Sequence, residues 1–359
     1  MTALTEDATD LIALRELADD ILSAGTEPLL DLQEIGIEFS PDLWTTLAGS
    51  GLTLLSTPEE RGGTGAGLRE VAVVLQSAGY HAAPLPIAEH DVLASWLLGN
   101  AGLPLFDGPM TAAVTDQPLD AARLTTDLDH VPWAGVAGAV VVTGPGFVAT
   151  VPRDQLTISS SSDLAGQPVD RVHIDADLTT DQFGVIDGAL ANEFRLRGAF
   201  ARAMQTCGAL ARALELTCEH AGQRVQFGRP IAKFQAVQAL ISDAAASLAA
   251  ATTAADFATE IVSAHGFGST HGRFAVAVAK IETARAAGLV SRNAHQVHGA
   301  IGFTLDHRLR HFTTRAQSWR SEFGSQRQWQ HEVGRLALDS PHGVWELVTR
   351  LSNPNTPRT

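Results

Sequence analysis

Arg224-Val-Gln-Phe-Gly-Arg-Pro-Ile-Ala-Lys-Phe-Gln235 interrupts a region whose pattern is otherwise helical. Before it, Met204, Cys207, Ala211, Leu214 and Cys218 recur at helical spacing as one apolar stripe, with Arg202, Arg212 and Glu215 off it. After it, Phe234, Val237, Leu240, Ile241, Ala244 and Leu248 mark a second helix. A third, about Phe274 to Asn293, is rich in alanine, which allows close helix packing. It runs into Gln296-Val-His-Gly-Ala-Ile-Gly-Phe303. The quoted stretch is therefore a connector, and Gly228 permits its turn. Long helices joined by short connections predict an antiparallel bundle over residues 188–359.

Upstream the pattern changes. Thr111–Thr115, Val140–Thr143, Phe147–Val151, Gln155–Ser159 and Arg171–Ile174 are rich in Val, Thr and Ile and alternate with Gly, Pro and Asp clusters. They predict a small β-domain over residues 106–187. Val131 to Val151 is uncharged and long enough to span a membrane, but it contains Pro132, Pro145 and four glycines. Two buried strands around a Gly144-Pro-Gly146 turn account for it better. Residues 1–105 read as helices: Leu11, Leu14, Leu17 and Ile21 share a face, and Ser40-Pro41 is an N-cap followed by proline. Leu68–Ala78 and Glu89–Leu98 are further helical segments. Pro58-Glu-Glu-Arg-Gly-Gly-Thr-Gly-Ala-Gly67 lacks the Gly-Lys-Ser/Thr of a phosphate loop and reads as a flexible turn.

The chain has 359 residues, 45 % hydrophobic and 18 % charged, enough for several packed units. A net charge of -15 gives no surplus of cations for nucleic acid. Cys207 and Cys218 lie about 16 Å apart along one helix, too far to pair with each other, which fits a reducing compartment. The N-terminus has neither a basic nor an apolar leader region, so a cytoplasmic location without a membrane anchor is expected. His307 and His311 stand four apart, but no third ligand is legible. With Arg308 and Arg310 they read as a solvated basic face, so no metal is expected.

The two quoted motifs resemble the C-terminal domain of acyl-CoA dehydrogenases, marked by R-x-x-F-G-x-x-I-x-x-x-Q and, further on, Q-x-x-G-G-x-G-F. The resemblance implies an α+β, mostly α fold: an N-terminal helical domain, a small middle β-domain and a C-terminal antiparallel four-helix bundle. It implies FAD as cofactor, an acyl-CoA thioester as substrate and an electron-transfer flavoprotein as acceptor. In this family the two motifs grip the FAD of a neighbouring subunit. By resemblance the contacts are Arg224, Phe227, Gly228, Phe234, Gln296, Gly299 and Ala300, the last standing where the family has a second glycine. The residue types suit the task. A guanidinium forks onto a pyrophosphate, an aromatic ring packs on a flat ring, and glycine lets backbone N–H groups approach phosphate. His298, inside the second motif, touches cofactor or is a satisfied hydrogen-bonding histidine.

Other family features are missing. The reaction needs a glutamate base in a desolvated pocket. The family holds it at one of two positions, which here are Phe323, preceded by Glu322, and Gly198. The flavin-binding T-E-P-x-A-G-S-D segment is reduced to Val114-Thr-Asp-Gln-Pro-Leu-Asp-Ala121. A kept clamp beside a lost base resembles the non-catalytic subunit of actinobacterial α2β2 acyl-CoA dehydrogenases, which pair with a catalytic subunit and act in steroid catabolism. Two alternatives stay open: a self-sufficient homomer with Glu322 as base, and a flavin-free scaffold or acyl-CoA-binding protein.

Overall fold

The computed structural model describes residues 2–32, 34–188, 190–340 and 343–349. The last ten residues of the expected bundle region lie outside it.

The first helices are α1 (Thr2–Thr26), α2 (Pro41–Gly49) and α3 (Leu68–Tyr80). Ser40 caps α2, its hydroxyl accepting from the Leu43 N–H, with Pro41 in the first turn. The expected helix over 89–98 is found, but Ala88–Ser95 is wound as a π-helix before α4 (Trp96–Ala101). All eight of its residues are buried, four of them polar, and Ser95 shares a hydroxyl–hydroxyl hydrogen bond with Thr57. Each of the other three has a partner that fixes it: Glu89 meets Arg202, His90 Nδ1 accepts from the Met110 N–H, and Asp91 accepts from Ser56 and Thr57. The Pro58–Gly67 segment is not a loose turn. Gly65 donates to the Thr57 carbonyl at 2.8 Å, and a Cβ on Gly63 would sit 2.0 Å from the same oxygen. Backbone bonds and close approach pin it.

Seven strands follow: β1 (Met110–Val114), β2 (Arg123–Pro132), β3 (Ala139–Gly144), β4 (Phe147–Pro152), β5 (Leu156–Ser159), β6 (Val169–Asp177) and β7 (Phe183–Val185). One sheet has the order β1-β3-β4-β7, with β1 parallel to β3; the other is β2-β6-β5, antiparallel throughout. The first is covered on both faces. Val140, Val142 and Phe147 pack toward Leu124, Leu128, Val172 and Ile174 of the second sheet, while Val141 and Val148 pack on Leu93, Leu97 and Leu98. Double burial explains the uncharged 131–151 run. No helix among the described residues is long and apolar enough to cross a membrane.

The remaining chain is α5 (Ala191–Gln223), a β8–β9 hairpin (Val225–Gln226, Arg229–Pro230), α6 (Gln235–His265), α7 (Thr270–His298), α8 (Leu309–Trp319), α9 (Gln326–Asp339) and α10 (Gly343–Thr349). Helix α5 is the axis of the molecule and packs on α3, α6, α7 and α8. Its apolar stripe is not as simple as the sequence suggests: Cys218 is exposed, whereas Arg202 is buried at 4 % exposure. Both cysteines are free. The result is the α+β, mostly α architecture expected, built around the helical bundle.

Candidate functional site

The outer site is built where α5 and α7 end side by side. Ala221, Ile231 and Val297 form a small apolar cluster there, joined by Phe234, Val237, Leu240 and Ile241. This cluster brings the two motifs together. The Arg224 N–H donates to the His220 carbonyl, and the Arg224 carbonyl accepts from Ile231, both at 2.8 Å, closing the hairpin at its base. At the tip Phe227 (φ 51°) and Gly228 (φ 76°) both have positive φ, the geometry of a tight two-residue hairpin turn. A phenylalanine is disfavoured in that conformation, yet this one is held 92 % exposed. Phe234 lies edge-on to it at 6.0 Å, with the Arg229 guanidinium 4.4 Å over the Phe234 ring.

On the α7 side Gln296, Gly299 and Ala300 are exposed. Gly299 ends the helix at φ 65°, where glycine is favoured for its backbone, since a Cβ would meet nothing within 4 Å. Phe303 is 75 % exposed nearby and stacks on His295. In a chain of net charge -15, Arg224, Arg229 and Lys233 have no carboxylate partner among the described residues. Free guanidinium groups, protruding aromatic rings and an accessible glycine backbone suit a dinucleotide's pyrophosphate and flat rings. Arg224, Phe227, Gln296 and Gly299 are exposed on the surface of the chain, where they could meet such a group.

His298 is buried, and its Nδ1 lies 2.8 Å from the Ala294 carbonyl. Its ring stacks on His220 at 4.5 Å and meets His307 edge-on at 4.5 Å. The solvated basic face expected around His307 and His311 is not found. Arg308 pairs with Asp31 and Glu27, Arg310 donates to the Leu32 carbonyl, and His311 is buried 3.2 Å from the Leu30 carbonyl. Arg310 and His311 satisfy carbonyls that follow α1, which is why these two are buried, while Arg308 is tied to carboxylates at the surface.

The inner site lies between the sheets and the end of α8. There the two family positions for a base meet: a Cβ on Gly198 would fall 2.3 Å from the Phe323 ring. Phe323 also packs against Phe194 at 5.9 Å. The Phe323 ring thus fills the space that a side chain at position 198 would enter. Glu322 turns to Arg202, whose Nε donates to it at 2.7 Å. The other guanidinium nitrogens donate to Gln205, at 2.7 Å, and to Glu89. Lys280 is fully buried beside this network and donates to the Trp319 carbonyl. Burial pushes its amine down to about 7.

A cavity of about 730 Å³ opens next to Phe323, lined in part by Asp127, Asp129, His130, Asp163 and Glu322, with no lysine or arginine. Burial raises the Asp163 carboxyl above its ordinary range. Thr115, in the reduced flavin-binding segment, spends its hydroxyl on Thr126 and on the Gln117 N–H. Nothing lining this cavity offers a cation to a phosphate, in contrast to the outer site.

Sequence reasoning missed the Arg202 network and the role of His220. Arg202 between Ala201 and Ala203, the single charged residue from Gly198 to Ala211, was the available signal for a buried ion pair. His220 carried none, because its neighbours come from distant segments.

Residues 9–104 match the acyl-CoA dehydrogenase N-terminal domain and residues 189–330 the acyl-CoA dehydrogenase C-terminal domain. The chain is 27 % identical over 377 residues to the acyl-CoA dehydrogenase FadE27 of Mycobacterium tuberculosis, covering 94 % of this chain and 98 % of the relative. Among solved structures, the ChsE4–ChsE5 complex from Mycobacterium tuberculosis superposes with a TM-score of 0.80 at 23 % identity, covering 92 % of this chain and 98 % of that one. The Tcur3481–Tcur3483 steroid ACAD superposes with a TM-score of 0.79 at 24 % identity, with the same coverage of both. With both helical domains matched, and with the bundle carrying both motifs, the chain belongs to the acyl-CoA dehydrogenase family.

Proposed function

We propose that this chain is the clamp-bearing, non-catalytic subunit of a heteromeric FAD-dependent acyl-CoA dehydrogenase. It completes the FAD site of a catalytic partner, in an α2β2 assembly that introduces a 2,3 double bond into an acyl-CoA thioester. The observation that carries the reading is the contact between Gly198 and Phe323. Both positions able to hold the base converge on one spot, and an aromatic ring occupies it. The clamp, meanwhile, stands exposed and unpaired on the opposite account.

The chemistry that FAD would supply when bound is acceptance of the hydride that leaves the β-carbon. This chain's contribution is binding and orientation. Arg224 holds the pyrophosphate, Phe227 and Phe234 pack on a flat ring, and Gln296 with the backbone at Gly299 and Ala300 hydrogen-bonds phosphate or ribose. The proton at the α-carbon goes to a carboxylate of the partner. A steroid-derived acyl group is the substrate class favoured by the likeness to a steroid ACAD, and an electron-transfer flavoprotein is the acceptor that the family implies. The homomeric alternative would need Glu322 to leave Arg202, its partner at 2.7 Å, before taking a proton.

In the assembled complex Arg224→Ala lowers the flavin bound per complex, whereas Glu322→Gln leaves turnover per bound flavin almost unchanged. Loss of turnover in the Glu322 variant at full flavin occupancy would reject the reading in favour of the homomer.

A further inference from the structure

We propose that His220, His298 and His307 form a binding site for a divalent transition-metal ion of the zinc type, independent of any flavin. They come from the last turn of α5, the end of α7 and the loop before α8, and one ligand nitrogen from each lies within 4.8 Å of the others. His298 is the anchor. A carbonyl can only accept, so the 2.8 Å contact with Ala294 puts the His298 proton on Nδ1. That leaves the Nε2 lone pair for a ligand, and Nε2 is buried with no hydrogen-bond partner. Fixing one ring nitrogen on a backbone carbonyl so that the other faces a metal is how proteins orient histidine ligands.

Three imidazoles without a carboxylate favour zinc, copper or nickel over magnesium or calcium. His220 and His307 are only half-buried, so a fourth position faces solvent and takes water. Closing the site requires small side-chain rotations. Zinc–nitrogen bonds of about 2.0–2.1 Å bring tetrahedral ligand atoms to about 3.4 Å from one another, and the stacked His220 and His298 rings must splay. His307 now accepts from the Leu309 N–H at Nδ1, so binding through Nε2 gives up that bond. The bound ion would cross-link the segments that carry Arg224, Gln296 and Gly299.

The test uses the untagged full chain, without partner or flavin, stripped with a chelator and titrated with Co²⁺ and with Zn²⁺. The expected result is one ion per chain, with the intense visible bands of tetrahedral Co²⁺ lost on adding Zn²⁺. His298→Phe, His220→Phe and His307→Phe should each abolish the bands. The two half-buried positions give folded variants even if the buried one does not, as circular dichroism would verify. Absence of the bands in the parent chain, or their persistence in folded His220→Phe and His307→Phe, would overturn the proposal.

Discussion

Arg202 is buried because three acceptors, Glu89, Glu322 and Gln205, surround its guanidinium. A buried charge is tolerated only when its hydrogen bonds are met, and each nitrogen here has one. The glutamate next to the lost base position thus has a structural employment. Lys280 beside it lacks a carboxylate bond of its own, and burial lowers its amine to about 7 from an ordinary 10.5. Between those values the unfolded chain holds a proton that the folded chain does not. Stability therefore rises with pH across that window, by about 1.4 kcal/mol per unit at most. Lys280→Met removes the titrating group, so the rise, read from urea unfolding between pH 7 and 10, should shrink relative to the parent. An unchanged slope would show that Lys280 is charged in the folded protein.

At the scale of elements, α3 and α5 cross backbone to backbone. A Cβ on Gly208 would lie 1.9 Å from the Gln76 carbonyl oxygen, and one on Gly79 would lie 2.0 Å from that of Gln205. Gly208→Ala should cost about 2–3 kcal/mol, since backbone cannot yield as a side chain can. Gly334→Ala, in α9 with open space around it, should instead gain about 0.5–1 kcal/mol by helix propensity. Urea denaturation of both variants checks the pair; equal effects would contradict the close crossing. Such elements differ in how far the sequence reveals them. Helices α1, α3, α5, α6 and α7 and the β3–β4 pair are legible because their periods and their Gly-Pro-Gly turn are local properties. Strand β2 is not, since its outward residues include Arg123, Thr125 and Asp127, which read as a polar loop. The π-helical winding of 88–95 is set by partners in other elements, and local pattern carries no trace of it.

Across the whole molecule, the two motifs proposed to grip FAD are legible one by one, because each is a local spacing within a connector. Their shared exposure is not, nor is the gathering of His220, His298 and His307, since both depend on three segments meeting in space. The inner site was legible only as an absence of carboxylates at Gly198 and Phe323; that the two positions touch is a property of the fold. One side of the chain therefore presents arginines and aromatic rings outward, while the cavity beside Phe323 is lined by acidic side chains and by no lysine or arginine. A molecule divided in this way should hold FAD only together with a second chain. The direct test is flavin per subunit, from the visible spectrum of the chain purified alone and after co-expression with a catalytic acyl-CoA dehydrogenase subunit. The account predicts little or no flavin in the lone chain and close to one FAD per pair in the complex; a full complement of FAD in the lone chain would contradict it.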